Sequence, residues 1–317
     1  MSTSSRPEAA PKPTGSVESR KGKLSIQKEE TNVDLKLRDG APEDAPVIGQ
    51  IAFEAFKAIA DQHNFPPDFP SVEVAVMVAS WLMSNPGIYC VVAELDGKIV
   101  GSNFLDERGP IAGIGPISVE PAVQNQRIGR ALMVDVMERA RAKGCAGMRL
   151  VQLAYHNRPL CLYTKLGFDA REELSTMQGT PPGLKIPGYD VRQATDADLD
   201  ACNTLCEPIH GHRRAGELRD AIQMGTAKVV EHLGKITGYC TSIGWFGHAV
   251  GETNNDLKAL IAAADSYAGP GFLCPTRNGE LMRWCLEHGL RNVHQATLMT
   301  IGLYSEPRGA YLPAVLY

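Results

Sequence analysis

The run Gln124-Asn125-Gln126-Arg127-Ile128-Gly129-Arg130-Ala131 follows a β-patterned segment that exits through Ile117-Ser118-Val119-Glu120-Pro121, and it opens onto a helical pattern. A strand that enters a glycine-containing turn and then a helix leaves successive backbone N–H groups without helical acceptors, and the positive end of the helix dipole adds to them. Such a turn binds anions, and its geometry suits a pyrophosphate. By itself the pattern is weak, because many strand–helix turns bind nothing. Three carboxylates stand close by in the chain, Asp106 and Glu107 before this segment and Glu120 within it. Each has the chemistry to accept a proton, and each equally fits a solvated loop.

The elements that must position these residues can be read from periodicity. Residues 33–38 alternate at period two, Pro42-Glu43-Asp44 opens a helix through Ile51, Phe53, Phe56 and Ile59, and a second helix is expected over 72–83 after the loop 64–70, which follows the lone His63. Strands at 89–93 and 99–105 flank Asp96-Gly97, a pair that tolerates positive φ and therefore signals a hairpin. A third strand is expected over 111–119. Leu132, Met133, Val136, Met137 and Ala140 then share one face of a helix over 129–143, closed by Gly144. A strand at 148–153, a short helix at 158–166 and a last strand at 171–177 complete a β-α-α-β-β-β-α-β-α-β order. This order predicts a mixed α/β (α+β) fold, a mostly antiparallel mixed sheet flanked by helices.

Val119-x-Pro121-x-x-Gln124-x-x-x-Ile128-Gly129-Arg130-Ala131-Leu132, followed by Asn157-x-x-x-x-x-Tyr163-x-x-Leu166-Gly167-Phe168, resembles the acetyl-CoA signature of the GCN5-related N-acetyltransferase (GNAT) superfamily. The resemblance covers about 140 residues in the order of elements that the superfamily has. It implies acetyl-CoA as cosubstrate, without a metal, and acetyl transfer to a primary amine by direct attack on the thioester. The alternative is a non-catalytic acyl-CoA-binding or sensing protein. The resemblance further implies that backbone groups of Ile117, Ser118 and Val119 hold the pantetheine arm, while Gln124, Asn125, Gln126, Arg127, Ile128, Gly129, Arg130 and Ala131 hold the pyrophosphate. Tyr163 stands where the family often places the hydroxyl that protonates the departing thiolate, and Asn157 either contacts the pantetheine arm or caps the helix. Asp106, Glu107 and Glu120 are the candidate bases, and His63 would border the acceptor groove. One departure matters: the superfamily turn reads Gln/Arg-x-x-Gly-x-Gly/Ala, and from Gln124 the first glycine position holds Arg127. A register two residues later, Gln126-x-x-Gly129-x-Ala131, also fits the pattern. Arg127 either donates to phosphate or crowds the turn.

A chain of 317 residues accommodates two domains. The Pro/Gly-rich run 180–188 reads as a linker, and the pattern of 189–199 repeats that of 35–44. The expected division is a flexible tail at 1–30, an acetyl-CoA-binding domain at 31–180, a linker at 181–188 and a degenerate copy at 189–317. In this copy, 274–280 stands between strand and helix without the glycine pattern, and the tyrosine-rich tail from Gly302 completes the sheet or lines a pocket. The net charge of −4 gives no support to nucleic-acid or anionic-membrane binding. The eight cysteines form no CxxC pair, although Cys202 and Cys206 fall four apart on a predicted helix. The expected partner is a small-molecule amine, or else a protein amine, and the expected protein is a cytoplasmic monomer or homodimer.

Overall fold

The computed structural model of the chain describes residues 35–316; the expected tail at 1–30 lies outside the described residues. The first half runs β1 (Leu35–Asp39), α1 (Ala45–His63), α2 (Val72–Ser84), β2 (Ile88–Leu95), β3 (Lys98–Asp106), β4 (Ile111–Ile114), β5 (Ser118–Val119), α3 (Ile128–Ala142), β6 (Gly147–Leu153), α4 (Asn157–Lys165) and β7 (Asp169–Gln178). The second runs β8 (Tyr189–Gln193), α5 (Leu199–His210), α6 (Ala215–Gln223), β9 (Lys228–His232), β10 (Lys235–Cys240), β11 (Ala249–Gly251), α7 (Asn254–Ala262), β12 (Phe272–Pro275), α8 (Gly279–Glu287), β13 (Arg291–Gly302) and β14 (Ala310–Leu312). The fold is therefore mixed, with helices on both faces of mostly antiparallel sheets.

Period-two alternation builds the layers. Val91 and Leu105 face α3 and α4 with Leu132, Met133, Val136, Tyr163 and Phe168, while their strand neighbours Cys90, Val92 and Phe104 face α1 and α2 with Ile48, Ala79 and Leu82. The expected hairpin forms on a turn with two consecutive positive φ values, Asp96 (50°) with Gly97 (76°), and β9 and β10 are joined in the same way at Leu233 (53°) with Gly234 (74°). The third strand is not continuous over 111–119. Ile114 pairs with Leu105 and Ser118 with Ser102, so three residues, 115–117, oppose two, 103 and 104. This one-residue excess is a bulge, and it splits the strand into β4 and β5.

The larger sheet runs β1-β2-β3-β4-β6-β13-β7-β12, with β5 on β3, and a second sheet runs β14-β11-β10-β9-β8. Strand β13 of the second half thus lies between β6 and β7 of the first, and β7 lies between β13 and β12. The pairing repeats itself: β6 meets β13 as β12 meets β7. The halves share one sheet through an exchange of strands that periodicity along the chain does not reveal. The tail pairs through β14 with β11 and so completes the smaller sheet. No helix of the described residues is long and apolar enough to cross a membrane.

Candidate active site

Strand β4 pairs with β3 on one side and, in parallel, with β6 on the other, from Ile111 opposite Gly147 to Gly113 opposite Arg149. Beyond the bulge, β5 stays with β3, while β6 continues to Leu153 without it. The two central strands therefore diverge, and Ile117, Ser118 and Val119 border the gap from one side. Ser118 is buried, with its Oγ 3.5 Å from that of Ser102.

The chain then crosses a short 3-10 turn, Pro121–Val123, and enters α3 at Ile128, one residue before the expected start at Gly129. Arg127 is the residue preceding the helix, at φ 66° and ψ 6°, and no side chain caps this end. The first backbone bond into the helix is from Ala131 N–H to Arg127 C=O, and none of the amides of 125–130 is donated to an acceptor among the described residues. The left-handed conformation explains the departure from the signature: where the superfamily has glycine, this chain holds an arginine in the backbone region that suits glycine. Asn125 is also left-handed, at φ 73°. Gln124 closes the turn, donating from Nε2 to Val119 C=O at 3.1 Å and accepting from Arg158 Nη1 at 2.8 Å. Nothing within the chain requires Gly129, because an added Cβ would meet only Leu162 at 3.8 Å and Val119 at 3.9 Å. Glycine in a first helical turn costs about 1 kcal/mol relative to alanine, and here it keeps the surface beside the free amides bare.

Tyr163 is 6% exposed, packs edge-on against Phe168 and sits on the α3–α4 face of the sheet. Burial pushes its hydroxyl up, which keeps the proton on it at neutral pH. Asn157 is the first residue of α4 rather than its cap; His156 holds the cap position and makes no side-chain capping bond.

The three carboxylates are not brought together. Asp106 ends β3, about 17 Å along the strand from Gly101 at 3.4 Å per residue, whereas Gly101 is the partner of Val119. It binds Arg108 through Nε at 2.9 Å and Nη2 at 2.5 Å, and Arg108 also reaches Asp220 of α6 at 2.9 Å. Glu107 is held by Arg139 and Lys143. Glu120, half-buried where β5 ends, makes no ion pair among the described residues.

A second group of residues escaped sequence reading. Asp68, from the loop between α1 and α2, lies with its Oδ1 3.6 Å from Nε2 of His294 on β13, and His294 Nδ1 lies 3.0 Å from Thr176 Oγ1. Tyr155, just past β6, stacks on Phe65 at 4.3 Å, and Trp245 meets the His294 ring edge-on at 5.6 Å. The exposed His63 ring is 5.5 Å from Tyr155. These side chains come from separate segments of both halves, and each taken alone is an isolated polar or aromatic residue. Cys202 and Cys206 are both buried in an apolar cluster. Among the described residues no group of three or more His, Cys, Asp or Glu gathers to hold a metal.

Residues 86–170 match the model of the acetyltransferase (GNAT) domain. An IAA acetyltransferase of Azospirillum brasilense is 30% identical over 91 residues, 28% of this chain and 60% of that protein, so the chain spans less than two thirds of that relative. A putative acetyltransferase from Pyrococcus horikoshii superposes at a TM-score of 0.67 with 17% identity, covering 86% of this chain and 91% of its own. A tandem GNAT protein from the clavulanic acid biosynthesis pathway superposes at 0.52 with 15% identity, covering 85% and 98%. The described chain has the acetyltransferase fold of the GNAT superfamily.

Proposed function

We propose that the chain transfers an acetyl group from acetyl-CoA to a primary amine by direct attack on the thioester, at a single site in the first half. The observation that carries this reading is the open end of α3, where the amides of 125–130 have no acceptor among the described residues, Arg127 and Arg130 belong to the same turn and Arg158 reaches it through Gln124. Free amides at a helix N-terminus and nearby guanidinium groups suit a diphosphate. The gap between β5 and β6 supports a place for the pantetheine arm beside Ile117, Ser118 and Val119. The reaction needs an oxyanion donor, a deprotonated amine and a proton for the thiolate. Tyr163 is the candidate for the last of these, because its hydroxyl stays protonated. Among the three candidate carboxylates, Asp106 and Glu107 are held by arginines and Glu120 makes no ion pair among the described residues, so of the three only Glu120 is left to accept a proton, from the amine once it is bonded to the acetyl carbon. The second half is read as a copy of the fold without coenzyme binding.

Calorimetric titration with acetyl-CoA, followed by thiol release with a panel of amines, tests the reading. Binding with amine-dependent thiol release is expected, and Tyr163→Phe lowers kcat by more than it changes affinity. Binding without thiol release for any amine would favour a coenzyme sensor instead.

A further inference from the structure

We propose that Asp68 and His294, one from each half of the chain, receive the ammonium group of the acceptor, and that the acceptor is a small primary amine on an apolar stem. This rests on the acetyl-transfer reading above and names the acceptor side of the same site.

Asp68 is 9% exposed and His294 3%, yet Asp68 Oδ1, His294 Nε2 and the Tyr155 hydroxyl are buried atoms without a hydrogen-bond partner among the described residues. Native interiors leave few such atoms, because a buried polar group without a partner has lost its hydration and gained nothing in exchange. At 3.6 Å, Oδ1 and Nε2 are too far apart to bond each other and close enough for one nitrogen to bond both. An ammonium group, with three N–H donors, supplies what this arrangement lacks. The walls are aromatic, with Phe65 stacked on Tyr155 and Trp245 edge-on to His294, and ring faces attract cations. Among Asp68, His294, Tyr155, Phe65, Trp245 and Thr176 the formal charge is that of Asp68, so the group selects a cation and offers no counter-charge to a substrate carboxylate. Tyr155 follows β6 where that strand has passed the end of β4, which sets the group at the mouth of the gap between the central strands.

With His294 Nδ1–H donated to Thr176 Oγ1, Nε2 presents its lone pair. One ammonium proton passes to Nε2 and on to solvent. The freed amine forms the C–N bond, the C–S bond breaks, and the second nitrogen proton balances the one taken up by the thiolate.

The test titrates the full chain with n-butylamine hydrochloride and with 1-butanol by calorimetry, in the presence and absence of coenzyme A, for wild type, Asp68→Asn and His294→Gln. Wild type should bind the amine at least about tenfold more tightly than the alcohol, equivalent to about 1.4 kcal/mol. Asp68→Asn should lose that preference while keeping acetyl-CoA affinity within twofold, which also reports that it is folded. His294→Gln should lower kcat for butylamine by about a hundredfold, in the range of general-base contributions. Equal binding of amine and alcohol to wild type, or an unchanged preference in Asp68→Asn, would overturn the proposal. Failure of the acetyl-transfer reading looks different: no coenzyme binding to wild type, with the ammonium preference intact.

Discussion

Helices α3 and α7 occupy matching places, after β5 in the first half and after β11 in the second, and their N-termini are finished in opposite ways. At α3 the preceding residue is Arg127, left-handed and without a capping side chain. At α7 it is Thr253, whose hydroxyl accepts from Asn255 N–H at 3.2 Å, while Asp256 accepts from Thr253 N–H at 2.9 Å and from its hydroxyl at 2.9 Å. The second half thus places its own carboxylate, 1% exposed, where the first leaves room for a foreign anion. A second pair of positions repeats the contrast. Helix α4 and strand β7 begin at 157 and 169, and α8 and β13 begin 122 residues later, at 279 and 291. By that offset Tyr155 corresponds to Arg277 and His294 to Glu172. Arg277 Nε binds Glu172 at 2.7 Å and the Tyr311 hydroxyl binds it at 2.7 Å, so this pair is satisfied internally, whereas Tyr155 and His294 keep unpartnered atoms. What both halves retain is scaffold: Arg38 joins Asp44 and Glu94 as Arg192 joins Asp198 and Glu231. The brace is present in both halves, whereas buried polar atoms without a partner among the described residues stand at these positions in the first pair alone.

Exchanging the two helix ends breaks the comparison most severely. Arg127→Thr with Arg130→Asp copies the Thr253/Asp256 cap onto α3, and acetyl-CoA affinity measured by calorimetry should fall at least about a hundredfold, near 2.7 kcal/mol. Asp256→Ala removes the internal anion of α7 and should lower unfolding stability in denaturant by about 1–2 kcal/mol, the range of a lost cap, without altering coenzyme affinity. Arg127→Gly relieves a left-handed arginine and should raise stability by about 1 kcal/mol, seen as a higher Tm, with coenzyme binding retained.

The smallest effect concerns the shared brace. Arg192, by hydrogen bonding, holds the Asp198 carboxyl down at about 2, against burial, whereas an unfolded aspartate titrates near about 3.9. Because the folded value is the lower one, this contribution is present above about pH 4 and is lost as pH falls toward 2. Asp198→Asn should flatten that part of the acid-unfolding curve. The change should be modest, since Arg192 is 41% exposed and screened by solvent.

Features that depend on local chemistry were legible in the sequence. The hairpin at Asp96-Gly97, the apolar face of α3 and the repeat of the opening motif near Tyr189 all rest on neighbours within a few residues. The break between β4 and β5 was hidden because a bulge adds one residue without a change of composition. The exchange of β13 was hidden because pairings such as Ala296 with Leu153 and Gly302 with Gly147 join residues far apart in the chain and leave no periodic trace, and the still longer separation of Asp68 from His294 concealed their meeting. The strand–helix pattern suggests the matching turn of the second half at 274–280, whereas β11 leads into α7 through 251–254; β11 has only three residues, too few for a visible alternation, and the β12–α8 pattern is the stronger. That stretch precedes α8, the counterpart of α4.

The most direct measurement is the stoichiometry of acetyl-CoA binding to the full chain, for wild type and for the Arg127→Thr, Arg130→Asp variant. One site per chain, abolished in the variant, is the predicted result. Two sites per chain, or one that survives the transplanted cap, would contradict the assignment of the coenzyme to the open end of α3.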